Sequence, residues 1–268
     1  VPVLVTEQGP IHYEYYGRGR PVILLHGWLG SWALWRDTIL YLSREFRTYA
    51  LDFFGFGDLN APFERSASAV YSVENYIELV NQFMDRLGII KAPLVGHSMG
   101  GTVSLGMAAR YPEKVVKVTI IGSPITGSSL NPFLKLSGYK QIAHLVYSFP
   151  YLLNSFIYML TYVSARDGRT LYRMVSEDAS KVASVDAFFQ SIGTLRQANM
   201  LPLLADLKMP ILGIYGKRDV IVNPRQSKVL LQHAPTSKEA WFERSGHFPM
   251  MDEPDRFHQT VTDFLKNG

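Results

Sequence analysis

The apolar residues of the first half of the chain fall into two alternating patterns. Residues 21–25, 92–95 and 115–121 are short aliphatic runs, too short for helices, and predict strands buried on both faces. Residues 11–16 and 47–51 read as further strands. Between them lie stretches of helical period. Ser31 is placed to cap a helix over 32–42, and Ser72 one over 73–87. In the second, Ile77, Val80, Phe83, Met84 and Leu87 share one face, and Gly88 closes it. A third helix is expected over 99–111, stopped by Pro112. The end of the chain repeats the scheme, with strands at 211–215 and 238–242 and helices at 224–233 and 253–265.

Strands that alternate with helices predict right-handed crossovers and an α/β fold, a mostly parallel central sheet flanked by helices. The segment 124–207 departs from this pattern. It has helical spacing, many aromatics and no strand alternation. We expect it to be a helical cap, inserted over the carboxyl edge of the sheet, where ligands bind in open α/β folds. The expected organisation is therefore a core of residues 1–123 and 208–268 and a cap of 124–207.

Composition narrows the chemistry. The 268 residues include no cysteine, which excludes disulfide frameworks, thiolate metal sites and cysteine nucleophiles. Hydrophobic residues make up 47%, enough for a large core, so a disordered chain is excluded. The formal charge of +4 comes from Lys and Arg scattered along the chain without a basic run, so no nucleic-acid partner is expected. Residues 141–165 contain no Asp, Glu, Lys or Arg, but Pro150, Asn154 and His144 interrupt them, so a membrane span is not expected. The first nine residues lack the basic start and apolar core of a signal peptide, and the expected location is cytoplasmic.

The chemistry-bearing motifs all follow predicted strands. Gly96-His97-Ser98-Met99-Gly100 joins a strand to a helix, the setting of a nucleophile elbow, in which a tight turn aims the serine hydroxyl into a cleft. Gly101 is followed by Thr102 rather than Lys, so a phosphate loop fails, and no dinucleotide fingerprint follows the first strand. His26-Gly27-Trp28-Leu29-Gly30 follows another strand. The backbone N–H groups of Trp28 and Met99 are the candidate oxyanion donors. An acid, Asp219, and a histidine, His247, stand in loops after the last two strands, giving the order Ser98, Asp219, His247. His26 is read as a loop-orienting hydrogen bonder, His97 as structural and directed away from the cleft, and Asp52 as a structural hydrogen bonder. The histidines show no metal spacing, so no metal or other cofactor is expected.

With His26-Gly27-Trp28, Asp52-Phe53-Phe54-Gly55-Phe56-Gly57, Gly96-His97-Ser98-Met99-Gly100-Gly101, Gly216-Lys217-Arg218-Asp219 and Gly246-His247-Phe248, the chain resembles the α/β-hydrolase superfamily over nearly its whole length. The resemblance implies a serine esterase acting on a small-molecule ester. Some relatives carry the acid after the strand that precedes the cap, but here that place reads Gly122-Ser123-Pro124. Asp58 stands where relatives often have Ser. The same triad also serves lactone opening, carbon–carbon cleavage, perhydrolysis and slow-turnover receptors. Within the cap, Phe156 and Tyr158 are the candidate walls of an apolar acyl or aryl pocket.

Overall fold

The computed structural model describes residues 2–58 and 70–267. Eight strands form one sheet in the order β1-β2-β4-β3-β5-β6-β7-β8. They are β1 (Val3–Thr6), β2 (Gly9–Tyr16), β3 (Pro21–Leu25), β4 (Arg47–Leu51), β5 (Ala92–His97), β6 (Val115–Ile121), β7 (Ile211–Gly216) and β8 (Ser237–Phe242). From β4 to β8 every neighbouring pair is parallel; β2 runs antiparallel to β4 and β1 antiparallel to β2. The sequence pattern does not predict β1, a four-residue edge strand too short for an alternation to register.

The buried run of β3 shows how the layers form. Val22 and Leu24 point into one apolar cluster, Ile23 and Leu25 into another on the opposite face. The first cluster is covered by α1 (Arg36–Leu42) and by α12 (Pro254–Lys266), through Ile39, Leu42, Phe257, Val261 and Leu265. The second is covered by α2 (Val73–Arg86) and α3 (Met99–Arg110), through Val80, Phe83, Met84 and Val103. Ser72 caps α2 by accepting the Asn75 N–H, and Gly88 beyond it has φ +66°. The helix expected over 32–42 is divided, with a 3₁₀ turn at Trp32–Trp35 leading into α1.

Between β6 and β7 the described elements are helical: a 3₁₀ turn at Gly127–Ser129, then α4 (Pro132–Leu136), α5 (Lys140–Ser148), α6 (Pro150–Ser164), α7 (Gly168–Ser180), α8 (Val185–Gln197) and α9 (Leu201–Leu204). The two ends of this excursion are pinned together: Gly127 N–H donates to the Ala198 carbonyl and Met200 N–H to the Ile125 carbonyl, each at 2.8 Å. The charge-free stretch 141–165 is broken at Phe149-Pro150 into two helices. Among the described residues no helix is long and apolar enough to cross a membrane. Two helices close the list, α10 (Gln226–His233) and α11 (Pro249–Asp252).

The strand order reverses between β3 and β5, because the chain runs from β3 to β4 on one side and then crosses to β5 on the other. Crevices open outside the carboxyl ends of strands at such a switch point. The Ser98 turn and the loop His26–Gly30 leave the sheet there.

Candidate active site

Ser98 sits at the end of β5 with φ 50° and ψ −116°, a strained conformation for a residue with a side chain. The neighbouring glycines make the turn possible. A Cβ on Gly96 would lie 2.3 Å from the Gly100 backbone, and one on Gly100 would lie 2.3 Å from the Leu25 carbonyl of β3. The Ser98 N–H donates to the Ile121 carbonyl at 2.8 Å, tying the turn to β6.

Asp219 and His247 come together from the loops after β7 and β8. His247 Nδ1 donates to Asp219 Oδ2 at 2.8 Å, and both residues are buried. The other oxygen, Oδ1, accepts the N–H groups of Ile221 and Val222 at 2.8 and 3.0 Å. The carboxylate is thus held by its own loop and has one oxygen free to orient the imidazole. Gly122, at the end of β6, presses against this pair: a Cβ there would lie 2.9 Å from His247 Nδ1 and 3.1 Å from Asp219 Oδ2.

Ser98 and His247 border one cavity together with Trp28, Leu29, His97 and Phe248. Its other walls are Leu134 of α4, Leu160, Thr161 and Ser164 of α6, Leu171 and Val175 of α7, Ile192 and Leu195 of α8, and Ile221. None of these is an acid, a lysine or an arginine. The cavity is narrow, about 50 Å³, room for a few waters.

The histidine loop is anchored from several sides. His247 N–H donates to the Ser164 carbonyl at the end of α6 (2.7 Å), Gly246 N–H to Asp252 (2.8 Å), and Ser245 Oγ to Glu253 (2.8 Å). His97 adds a further tie. Its Nε2 lies 2.9 Å from the His247 carbonyl and so carries the proton, and its ring packs on those of His247 and Phe248. Burial first, and the neighbouring His247 second, hold His97 well below the usual histidine pKa, so it is neutral. The expectation that His97 turns away from the cleft is corrected here: it lies on the cavity wall, because its partner is the main chain of the histidine loop.

The loop after β3 carries Trp28. The Trp28 indole N–H donates to the Phe188 carbonyl of α8 at 3.0 Å, and Phe156 packs edge-on against its ring. Leu29 has φ +53°, a strained position that Gly27 and Gly30 do not announce in the sequence. His26 is fully buried and kept neutral by burial; its Nδ1 donates to the Gly27 carbonyl and its Nε2 accepts the Phe53 N–H. It orients this loop. Asp52 accepts the N–H groups of Trp32 and Asp58 and a His12 ring N–H, three donors that define a structural acceptor. Of the two cap aromatics expected to wall the pocket, Phe156 reaches it only through Trp28. Tyr158 is on the outer surface, its ring tilted against that of Tyr162, because α6 turns Leu160, Thr161 and Ser164 inward instead.

Two contacts with no sequence signal join the segment around α7 to the loops after β3 and β4. Asp58 pairs with Lys181, just past α7, at 2.7 Å and accepts the Trp32 indole N–H at 3.0 Å. Asp178 of α7 is buried and accepts the Ser31 hydroxyl at 2.8 Å, leaving its second oxygen without a partner. His12, Asp52 and Asp58 also bring potential metal-ligand atoms within 4.8 Å of one another, but these atoms are already engaged with each other, with Trp32 and with Lys181.

The model of the alpha/beta hydrolase fold family matches residues 20–158, and the chain belongs to that family. It is similar over 99% of its length to 2-hydroxy-6-oxo-6-phenylhexa-2,4-dienoate hydrolase of Burkholderia cepacia, at 28% identity and covering 96% of that protein. It is 24% identical to the pimeloyl-[acyl-carrier protein] methyl ester esterase of Vibrio campbellii, over 95% of this chain and 98% of that one. Among solved structures, an esterase from Exiguobacterium antarcticum superposes with a TM-score of 0.83 at 21% identity, covering 99% of each chain. These relatives are named as hydrolases, one of a dienoate and others of esters.

Proposed function

We propose that this chain is a serine esterase that cleaves carboxylic esters of small to medium apolar acyl or aryl groups. The observation that carries the reading is the Asp219–His247 hydrogen bond at 2.8 Å beside a cavity that Ser98 enters from a strained turn. In the proposed reaction the Ser98 oxygen attacks the ester carbonyl carbon while His247 Nε2 takes the hydroxyl proton. The N–H groups of Trp28 and Met99 hold the oxyanion. The C–O bond then breaks, His247 protonates the leaving alcohol, and an acyl-serine remains. Water attacks it with His247 again as base, releasing the acid. Asp219 fixes the imidazole tautomer and stabilises the imidazolium. The steps call on no cofactor. Residues 124–207 act as the cap that walls the acyl site, over a core of 1–123 and 208–268.

The walls favour neutral esters over the carbon–carbon substrates of relatives. A dienoate carries a carboxylate, and a buried carboxylate needs a cation or several donors. The cavity lining contains no lysine or arginine. A lactone is a cyclic ester and would be opened by the same steps.

A panel of p-nitrophenyl esters from acetate upward, run on wild type and Ser98→Ala, tests the reading. Each methylene buried against Leu160, Ile192 or Leu195 should raise kcat/KM by up to about fourfold until the narrow cavity fills. Ser98→Ala should fold and lose turnover by several orders of magnitude. Retention of more than about a tenth of wild-type kcat would sink the nucleophile assignment. A single stoichiometric binding event without turnover would indicate a receptor, and a preference for dienoates over all esters would indicate carbon–carbon cleavage.

A further inference from the structure

A surface helix normally turns its polar face to water. α6 does not. Its inner face, with Ile157, Thr161 and Ser164, is buried, and its outer face bears Tyr151, Leu152, Tyr158, Met159, Tyr162 and Val163. These positions recur at spacings of three, four and seven and form one stripe, in which the exposed Asn154 and Ser155 also lie. Tyr151 is 87% exposed and the other five are 44–55% exposed. Leu145 and Phe149, just before the helix, are also exposed. Side chains of this size and exposure present on the order of 600 Å² of mostly apolar surface, at the top of the range of about 300–600 Å² for the largest patch of a monomer. Such a stripe calls for a partner.

The charges around it say which. From Lys114 to Arg166 the chain has no Asp or Glu, and the charged residues from Asn131 to Arg166 are Lys135, Lys140 and Arg166. Arg169 stands at the edge of the stripe: the Tyr158 hydroxyl first and Arg169 second hold the Tyr162 phenol below its usual pKa. The segment that carries the stripe is thus rich in cations, with Asp167, beside Arg169 and Tyr162, its one acid between Asn131 and Thr170.

We propose that this face of the cap docks on a lipid bilayer rich in anionic headgroups, with α6 lying in the interface. Tyrosines at this depth place the ring in the acyl boundary and the hydroxyl among headgroups, while Lys140, Arg166 and Arg169 meet the lipid phosphates. The helix, about 22 Å long at 1.5 Å per residue, is of the length that lies on a membrane rather than spans it. A second copy of the chain fits less well. Two-fold pairing through the same stripe sets the excess of cations of one copy against that of the other, with only Asp167 of each copy to relieve it. The inference stands apart from the esterase reading, since it concerns the outer face of α6 and not the cavity.

The test is co-sedimentation with vesicles of phosphatidylcholine alone and of phosphatidylcholine mixed with phosphatidylglycerol. Wild type should partition onto the mixed vesicles, less so at high salt, and weakly onto phosphatidylcholine. Reversing Lys140 and Arg169 to Glu should weaken partitioning by roughly fivefold or more for each charge. Tyr151→Glu with Met159→Glu should do the same without changing hydrolysis of a dissolved ester, and circular dichroism checks that each variant is folded. Equal partitioning onto both vesicle types, or binding untouched by both pairs of substitutions, overturns the proposal. So does concentration-dependent dimerisation in sedimentation velocity that the Tyr151 and Met159 substitutions abolish, for that assigns the stripe to a second copy.

Discussion

Asp178 gives the sharpest test of how α7 is held to the loop after β3. It is buried between α7 and the loop after β3, with one oxygen on the Ser31 hydroxyl and the other unpartnered. Burial, the largest influence, pushes its pKa up to about 7, and the Ser31 bond and Lys181 only partly oppose it. The folded pKa lies above the unfolded one, so between about pH 4 and pH 7 the native state binds the extra proton. Stability is therefore fully present below the unfolded pKa and is lost as pH rises through 7. The full shift corresponds to roughly 4 kcal/mol, of which roughly 3 kcal/mol falls between pH 5 and pH 8. Asp178→Asn removes the charge, keeps an acceptor for Ser31, and points an amide donor where the second oxygen finds no partner. The unpaired donor costs about 1 kcal/mol or more. The variant should be less stable than wild type near pH 4 and more stable by about 1–3 kcal/mol at pH 8. Urea unfolding of both proteins at several pH values measures this directly. A stability difference that does not change with pH would refute the reasoning and mean that Asp178 is ionised in the folded protein throughout.

The other outcomes concern the proposed reaction. Asp219→Asn should lower kcat by up to about 10⁴ with binding nearly unchanged. Asp52→Asn should instead lower stability, because three donors lose a charged acceptor; loss of chemistry in a folded Asp52 variant with an active Asp219 variant would exchange the two assignments. The pH–rate profile should not climb toward acid, because the proposed reaction needs a neutral histidine as base. His97 should leave no trace in that profile, being neutral throughout, so an ionisation near neutrality that disappears in a His97 variant contradicts its burial. His97→Ala should nonetheless reduce kcat by up to about 10²-fold through misplacement of the histidine loop, with KM little changed.

The sequence by itself determined the strand and helix alternation, since each aliphatic run of β3, β5 and β6 has a meaning independent of its neighbours. It also marked Ser98 and His247, which border the cavity, and Asp219, which holds the His247 ring: all three lie in loops directly after strands, and parallel strands bring such loops to one edge. Local turn chemistry was readable too, as with the Ser72 cap and Gly88. What the sequence could not decide was which way a helix faces when both faces are apolar. In α6 that ambiguity is complete, so Tyr158 reads as readily as a pocket wall as a surface residue. Only packing against α7 and the histidine loop turns Leu160 and Ser164 inward. The same holds for His97, whose partner is a main-chain carbonyl 150 residues away. It holds as well for Asp58 and Asp178, ordinary surface-type acids in sequence that join the segment around α7 to the loops after β4 and β3 once the chain is folded. Such pairings join distant segments through single hydrogen bonds, leave no periodicity behind, and exist only when the tertiary structure has chosen the faces.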